Sequence, residues 1–269
     1  MYEEIDDTEK LMAVGIGLIA LVLSFFISFK ISSSIQKTII NMQEAVIITE
    51  NEQFSYVMKT EYAGGVWGVG KVIANPITLN SLSGNYGKIV VEEERYTMHT
   101  STSCDDEGNC TTTTTYSWDS HGTQTIIDPK VSFMGYEFST SQVGLPEGRR
   151  LGLSKDTVSS DYFNRVDGNY LYEDDQTCFF CGVDGVGDLR WRFFVLPVEF
   201  DGTLYVQSTS EGFINYKDNP CGCSIVTVSP QEVIESAKKS MWFFTYIFPY
   251  GTPLIVIAVS LWTFYKYRN

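Results

Sequence analysis

Arg95 to Trp118 reads RYTMHTSTSCDDEGNCTTTTTYSW, two β-branched runs joined by a short acidic loop between Cys104 and Cys110. Threonine, tyrosine and tryptophan suit a pleated strand surface, whereas Asp-Asp-Glu-Gly-Asn is turn chemistry. The segment predicts an antiparallel ribbon in which Cys104 faces Cys110 across a disulfide. That register sets Tyr96 opposite Trp118 and aligns Ser and Thr of one strand with Thr of the other, a stabilising cross-strand pairing. The threonine run is expected to be a solvated edge element rather than a recognition surface.

Working outward, four more cysteines follow as Cys178/Cys181 and Cys221/Cys223. All six lie between the apolar ends of the chain, and an even number so placed favours an oxidising compartment. Two thiolate pairs on turns can also complete a zinc tetrahedron, but C-x-C is less usual there than a second C-x-x-C. Disulfide cross-linking of the two loops is favoured, with the pairing of these four left open. The CFFC string lacks the βαβ setting of a thioredoxin-like motif. Asn109-Cys110-Thr111 is a glycosylation sequon, making Asn109 a candidate acceptor, although its middle residue is committed to the disulfide.

From Glu50 to Val228 the pattern is short β-rich runs broken by Gly, Asn, Asp and Pro: VWGVGKVI, KIVVEEERYTMHT, TTTTTYSW, KVSFMGYEFS, LRWRFFVLPVEF, TLYVQS and SIVTV. They predict a β-dominated α+β domain over residues 50–228, stapled by disulfides. Trp67, Trp118, Trp191 and Tyr96, at alternating strand positions, are expected in the core. Gly64, Gly65, Gly68 and Gly70 lack the following helix and Lys-Ser/Thr of a phosphate cradle. The acidic runs Asp105–Glu107, Glu173–Asp175 and Asp184–Asp188 do not match a Ca²⁺ loop. His99 and His121, the only histidines, sit in no catalytic signature, so neither an enzymatic activity nor a cofactor is expected. With 33 acidic against 19 basic residues and a net charge of −14, nucleic-acid binding is excluded as well.

The domain is tethered at both ends. Residues 1–10 form a short acidic tail. Leu11 to Phe29 is a charge-free run long enough to cross a ~30 Å hydrocarbon core, giving a first span over residues 11–31. An acidic segment before it and no cleavage site after it argue for an anchor over a removed signal. Residues 32–49 extend it as a helical stalk, with Ile35, Ile39, Met42 and Val46 at helical spacing. Ser229-Pro230-Gln231-Glu232 predicts a capped amphipathic helix over residues 229–240. It feeds a second span over residues 241–265, flanked by aromatics and followed by the basic tail 266–269. Pro249, Gly251 and Pro253 are expected to kink or break that helix. Both termini then share one side of the bilayer, and the cysteines place the domain on the other, oxidised side.

In order along the chain, several strings resemble a known family. They are G-K-V-I-A-N-P-I-T-L (Gly70 to Leu79), then Tyr86 and V-V-E-E-E-R-Y (Val90 to Tyr96). Gly187-Asp188-Leu189-Arg190-Trp191-Arg192-Phe193, Leu204 to Tyr216 and V-S-P-Q-E-V-I-E (Val228 to Glu235) follow. Together they are similar to the LUMA-type nuclear-envelope and endoplasmic-reticulum proteins (the transmembrane protein 43 family). Within them Gly187, Asp188, Arg190 and Phe193 match the family's G-D-x-R-x-x-F strand. Unlike that family, the chain carries one C-terminal span and three cysteine pairs. The resemblance implies a shortened two-pass member, a membrane-organising scaffold of endomembranes or the nuclear envelope.

The function expected is therefore a non-enzymatic, two-pass structural protein whose β-rich domain contacts other membrane or shell proteins, or itself, beside the bilayer. An alternative is a minor virion protein of a large DNA virus, joining an internal membrane to its capsid. A second alternative is a four-cysteine metal-binding or redox membrane protein. Asp188 and Arg190, which flank the strand face opposite Trp191, are expected either to pair with each other or simply to be solvated.

Overall fold

The computed structural model describes residues 7–60, 64–105, 108–159, 166–172, 185–209, 212–213 and 224–268. Helix α1 (Asp7–Glu44) takes up the first apolar run and continues without a break into the stalk; its 38 residues extend about 57 Å. Val46 is not on that helix. It opens the short strand β1 (Val46–Ile48), leaving Ile35, Ile39 and Met42 as the buried helical stripe. The domain then opens on helix α2 (Asn51–Lys59), ahead of the first β-rich run and not singled out in the sequence. Its Phe54 and Met58, one turn apart, are both buried.

At the other end, α3 (Pro230–Trp242) passes through a π-helical turn (Phe243–Ile247) into α4 (Phe248–Arg268). The expected cap is present: Ser229 Oγ accepts from the Glu232 amide and the Glu232 carboxylate accepts from the Ser229 amide. The bond from the Ser229 amide, with a second from the Ser229 hydroxyl at 3.1 Å, holds the Glu232 carboxyl below its ordinary pKa. The prolines do not break the helix. Its turn widens just before Pro249, where the Phe248 amide reaches back to the Phe243 carbonyl. Pro253 removes the amide that would bond the Pro249 carbonyl, and the Ser24 hydroxyl of α1 lies 3.1 Å from that oxygen and 2.9 Å from the Leu21 carbonyl of its own helix, its one proton shared between them. In hydrocarbon a freed carbonyl needs such a partner.

The two long helices pair antiparallel. Ser32 meets Thr245 at 2.9 Å, Phe25 meets Tyr250 edge-on, and Gly17 lies against Ile257. A Cβ at Gly17 would fall 2.4 Å from Ile257 Cγ1, so the glycine permits this approach. Both helices are long and apolar enough to cross a bilayer, and their outer faces expose Leu, Ile, Val and Phe side chains. Trp242 and Trp262 stand about twenty residues apart on the second helix, about 30 Å, matching the hydrocarbon thickness.

The middle of the chain forms two six-stranded sheets. In the first, β2 (Gly64–Ala74) pairs antiparallel with β11 (Glu199–Thr209) on one edge and with β5 (Lys130–Phe133) on the other, where β1 also adds in parallel. The hairpin partner β6 (Tyr136–Ser139) and the short β12 (Gly212–Phe213) complete it. In the second, β10 (Leu189–Leu196) pairs with β3 (Lys88–Cys104) on one edge and with β7 (Arg149–Arg150) and β9 (Tyr170–Tyr172) on the other. Strand β4 (Cys110–Ile127) closes one side beyond β3, and β8 (Val166–Asp167) lies beyond β9.

Two long runs divide. LRWRFFVLPVEF splits at Pro197 into β10 and β11, since proline cannot continue the ladder. KVSFMGYEFS folds back at Met134-Gly135, both with positive φ, as a two-residue hairpin requires. Met134 accepts that conformation and is buried over Gly70, where a Cβ would come 2.7 Å from its Cγ. SIVTV makes only isolated bridges, Ser224 to Gly144 and Val226 to Thr203. The glycines of β2 serve packing: a Cβ at Gly68 would sit 2.6 Å from Phe54 and 2.7 Å from Phe133, whose rings meet edge-on across the strand.

Candidate functional site

Two constructions stand apart from ordinary core packing. One joins the helices to the first sheet. Met42 lies in the last turn of α1, where backbone carbonyls lack intrahelical partners. The indole of Trp67 in β2 donates to the Met42 carbonyl at 2.8 Å, and its ring packs on Tyr205 of β11 at 4.9 Å between centroids. Trp67 is 2 % exposed; Met42 and Tyr205 are equally enclosed, with Val233 and Ile234 of α3 against them. One turn toward the membrane, Ile35 and Ile39 pack on Ala237, with Ile234, Met241 and Phe244 at the rim. Both tethers therefore enter one apolar socket on one sheet.

The other lies on the outer face of the second sheet. Strand β10 alternates Arg190, Trp191, Arg192 and Phe193 beside the glutamates of β3, in the register Arg190 to Glu94 and Arg192 to Glu92. Alternation sends Phe193 and Trp191 inward, Phe193 into the core with Ile89 and Leu171, while both arginines face out. Arg190 Nε donates to Glu94 Oε2 at 2.7 Å and Nη2 reaches the same oxygen at 2.5 Å. Arg192 pairs with Glu92 and, at 3.4 Å, with Glu94. The Arg190 guanidinium lies between Tyr170 at 3.9 Å and Trp118 at 4.3 Å, a cation–π stack that suits a planar, weakly hydrated cation. Burial opposes its charge, but hydrogen bonds to Glu94 and Tyr172 and the Glu94 charge outweigh it, so its pKa is raised. The Trp191 indole donates to Glu93 at 2.9 Å.

Arg190 thus pairs with Glu94 rather than with Asp188, and is largely withdrawn from solvent. The Arg190 side chain is 16 % exposed and that of Glu94 12 %. The Asp188 carboxylate accepts from the Gly185 amide at 2.6 Å, closing the turn that leads into β10, and Gly187 sits at φ 107° in that turn. The Gly187 amide donates to the Tyr96 carbonyl and the Tyr96 amide to the Asp188 carbonyl, each at 2.9 Å. Gly187, Asp188, Arg190 and Phe193 accordingly fix a turn, an ion pair and a core position.

Of the aromatics expected in the core, Trp67 is fully enclosed and Trp191 packs partly into the second cluster, but Tyr96 and Trp118 lie on the outer face. They stack at 5.2 Å beside Tyr172 and Arg190. On the opposite face of the ribbon, His99 meets Asp119 at 2.7 Å, and Thr97 and Ser117 also donate to that carboxylate. Those bonds, the one from Thr97 foremost, lower the Asp119 pKa. Ser117 bonds the carboxylate rather than the imidazole, unlike the serine of a Ser–His–Asp triad. Among the described residues no three His, Cys, Asp or Glu side chains converge as a metal-binding group.

Cys104 and Cys110 are bonded across the ribbon in the expected register, with Tyr96 opposite Trp118. Asn109 is exposed at the tip, its side chain donating to Asp105 at 3.2 Å. Cys178, Cys181, Cys221 and Cys223 lie outside the described residues, as do Asp106 and Glu107 of one acidic run, Glu173–Asp175 and Asp184. The socket of Met42, Trp67 and Tyr205 escaped the sequence; its one signal was the helical stripe Ile35, Ile39, Met42 and Val46, of which Val46 lies in β1. The Arg–Glu ladder also escaped, although R-x-R and E-x-E are visible as complementary alternations. No family model, curated protein or solved structure matches the chain.

Proposed function

We propose that the protein is a non-enzymatic membrane scaffold that holds a β-rich domain in a set position beside the bilayer for contact with other proteins. The observation carrying this is the shared socket: α1 runs unbroken from its apolar run to Glu44 and, with α3, seats on Trp67 and Tyr205 of the first sheet. Two paired helices entering one sheet leave little freedom to swing, whereas a flexible linker on either side would. Residues that resembled a motif serve architecture here: Arg190 and Asp188 hold strands and a turn together. The Cys104–Cys110 bond supports placing the domain in an oxidising space, with both termini across the membrane. The resemblance to the LUMA-type family supports the same role, with endomembranes as the setting.

Crosslinking in the native membrane, followed by purification in mild detergent, tests this. Stoichiometric adducts between the domain and neighbouring membrane proteins, or further copies of the chain, are expected. A strictly monomeric protein without adducts contradicts a scaffold role.

A further inference from the structure

The second sheet ends in a bare ribbon. Strand β10 accompanies β3 only to Arg95, and Tyr96 makes the last backbone bonds on that side, to Gly187 and Asp188. From Thr97 to Cys104 and from Cys110 to Trp118, β3 and β4 have only each other as strand partners among the described residues. Among the described residues nothing pairs with either outer edge, over about 25–30 Å at ~3.3 Å per residue. Hydrogen-bonded and non-bonded pairs alternate along an antiparallel ladder. Because Tyr96 bonds outward and Asp105 bonds inward to Asn109, the even-numbered residues turn their amides and carbonyls outward. These are Met98, Thr100, Thr102 and Cys104 on one edge and Cys110, Thr112, Thr114, Tyr116 and Trp118 on the other.

Natural edges are guarded by charges, prolines or bulges. Here the one bulge, at Glu93/Glu94, lies below the ribbon, and Cys110–Trp118 holds no charged residue and no proline. On a chain of net charge −14, most surfaces repel a second copy, whereas this uncharged edge does not. Threonine opposite threonine or serine is itself a favourable pair. Toward the base of the ribbon, Met98 and Tyr116 face each other, each 53 % exposed.

We propose that the ribbon is a self-association edge, in which β4 of one copy adds antiparallel to β3 of the next copy in the same membrane. Both edges lack a strand partner among the described residues, and a head-to-tail contact satisfies both while keeping every copy upright. A two-fold β4-to-β4 contact would leave each β3 edge bare. Two tethers in one bilayer raise the local concentration that such a contact needs. The proposal deepens the scaffold role and rests on it by naming one partner and its surface.

The test uses the full chain in mild detergent and in vesicles, with mass by light scattering and energy transfer between labelled copies. Thr114→Pro and Thr100→Pro each remove one outward amide and spare the bonds inside the ribbon. Wild type is expected to form species larger than a monomer, each variant alone to remain monomeric, and the equimolar mixture to stop at dimers. The mixture restores one contact, between the intact β4 of one variant and the intact β3 of the other. Retention of the Cys104–Cys110 disulfide reports that each ribbon still forms. The double variant Thr100→Lys/Thr114→Lys, which needs no backbone change, is expected to lose assembly at low salt and regain it at high salt. Assembly kept by Thr100→Pro overturns the head-to-tail geometry. A monomeric wild type, or assembly unchanged in every variant, overturns the ribbon as the contact; neither outcome removes a scaffold that crosslinks to other proteins.

Discussion

Trp67 and Trp118 each stack on a tyrosine of the neighbouring strand, at 4.9 and 5.2 Å, yet their surroundings have little in common. Trp67 is sealed beneath two helices and uses its indole to satisfy a helix-end carbonyl. Trp118 lies half-buried on an outer face, under an arginine that glutamates neutralise. The first arrangement excludes water, and its strength comes from buried area and fit. The second uses polar contacts that tolerate water, and suits a part of the molecule that meets others. The domain is thus fastened where it joins the membrane helices and left open where it projects.

The contrast breaks most sharply at Trp67. Trp67→Ala empties the socket and is expected to cost about 3–5 kcal/mol, against about 1 kcal/mol for Trp118→Ala, read by denaturant unfolding of the detergent-solubilised protein. Trp67→Phe isolates the indole bond, at about 1–2 kcal/mol. Equal losses at Trp67 and Trp118 would erase the distinction. On the outer face, Arg190→Met leaves Glu94 with only its longer contact to Arg192, a loss of about 2 kcal/mol. The more exposed Arg192→Met is expected to cost less than about 1 kcal/mol.

Within the spans the effects shrink. Ser24→Ala removes the hydroxyl facing the Pro249 carbonyl and should lower stability in detergent by about 0.6 kcal/mol. Ser28→Ala should be neutral or stabilising, because its buried hydroxyl has no partner among the described residues.

The smallest effect concerns pH at the ribbon base. Asp119 has a folded pKa below its ordinary value of about 3.9, so its contribution is present above that value and is lost as pH falls through the lower folded one. Amide protection near Thr97 and Ser117, with the intrinsic pH dependence of exchange divided out, should fall as pH drops below about 4, while protection at Trp67, whose bond involves no carboxylate, holds. Unchanged protection at the ribbon base down to about pH 2 would contradict this.

The sequence made local features legible and distant ones obscure. The ribbon register, its disulfide, the Ser229 cap and the apolar runs follow from spacing within a few turns or one hairpin. Helix α2 was hidden because its two buried residues, Phe54 and Met58, make too short a stripe to outvote the β-rich surroundings. The split of the β10–β11 run was marked by Pro197, whereas the Met134-Gly135 turn carried a weak signal because Met rarely takes positive φ. The socket depends on Met42, Trp67 and Tyr205, far apart in sequence, and Arg190 on a strand nearly a hundred residues upstream. Such pairings are chosen by tertiary packing, which no local pattern records.

The central claim, that stalks and first sheet move as one body, is tested most directly by a distance distribution in bilayers. Genetically encoded spin labels at the exposed positions Gln36 on α1 and Ile73 on β2 would be read by pulsed electron resonance, with and without Trp67→Ala. A single narrow distribution that broadens on loss of the indole is predicted; a broad or multiple distribution in the unmodified protein would contradict it.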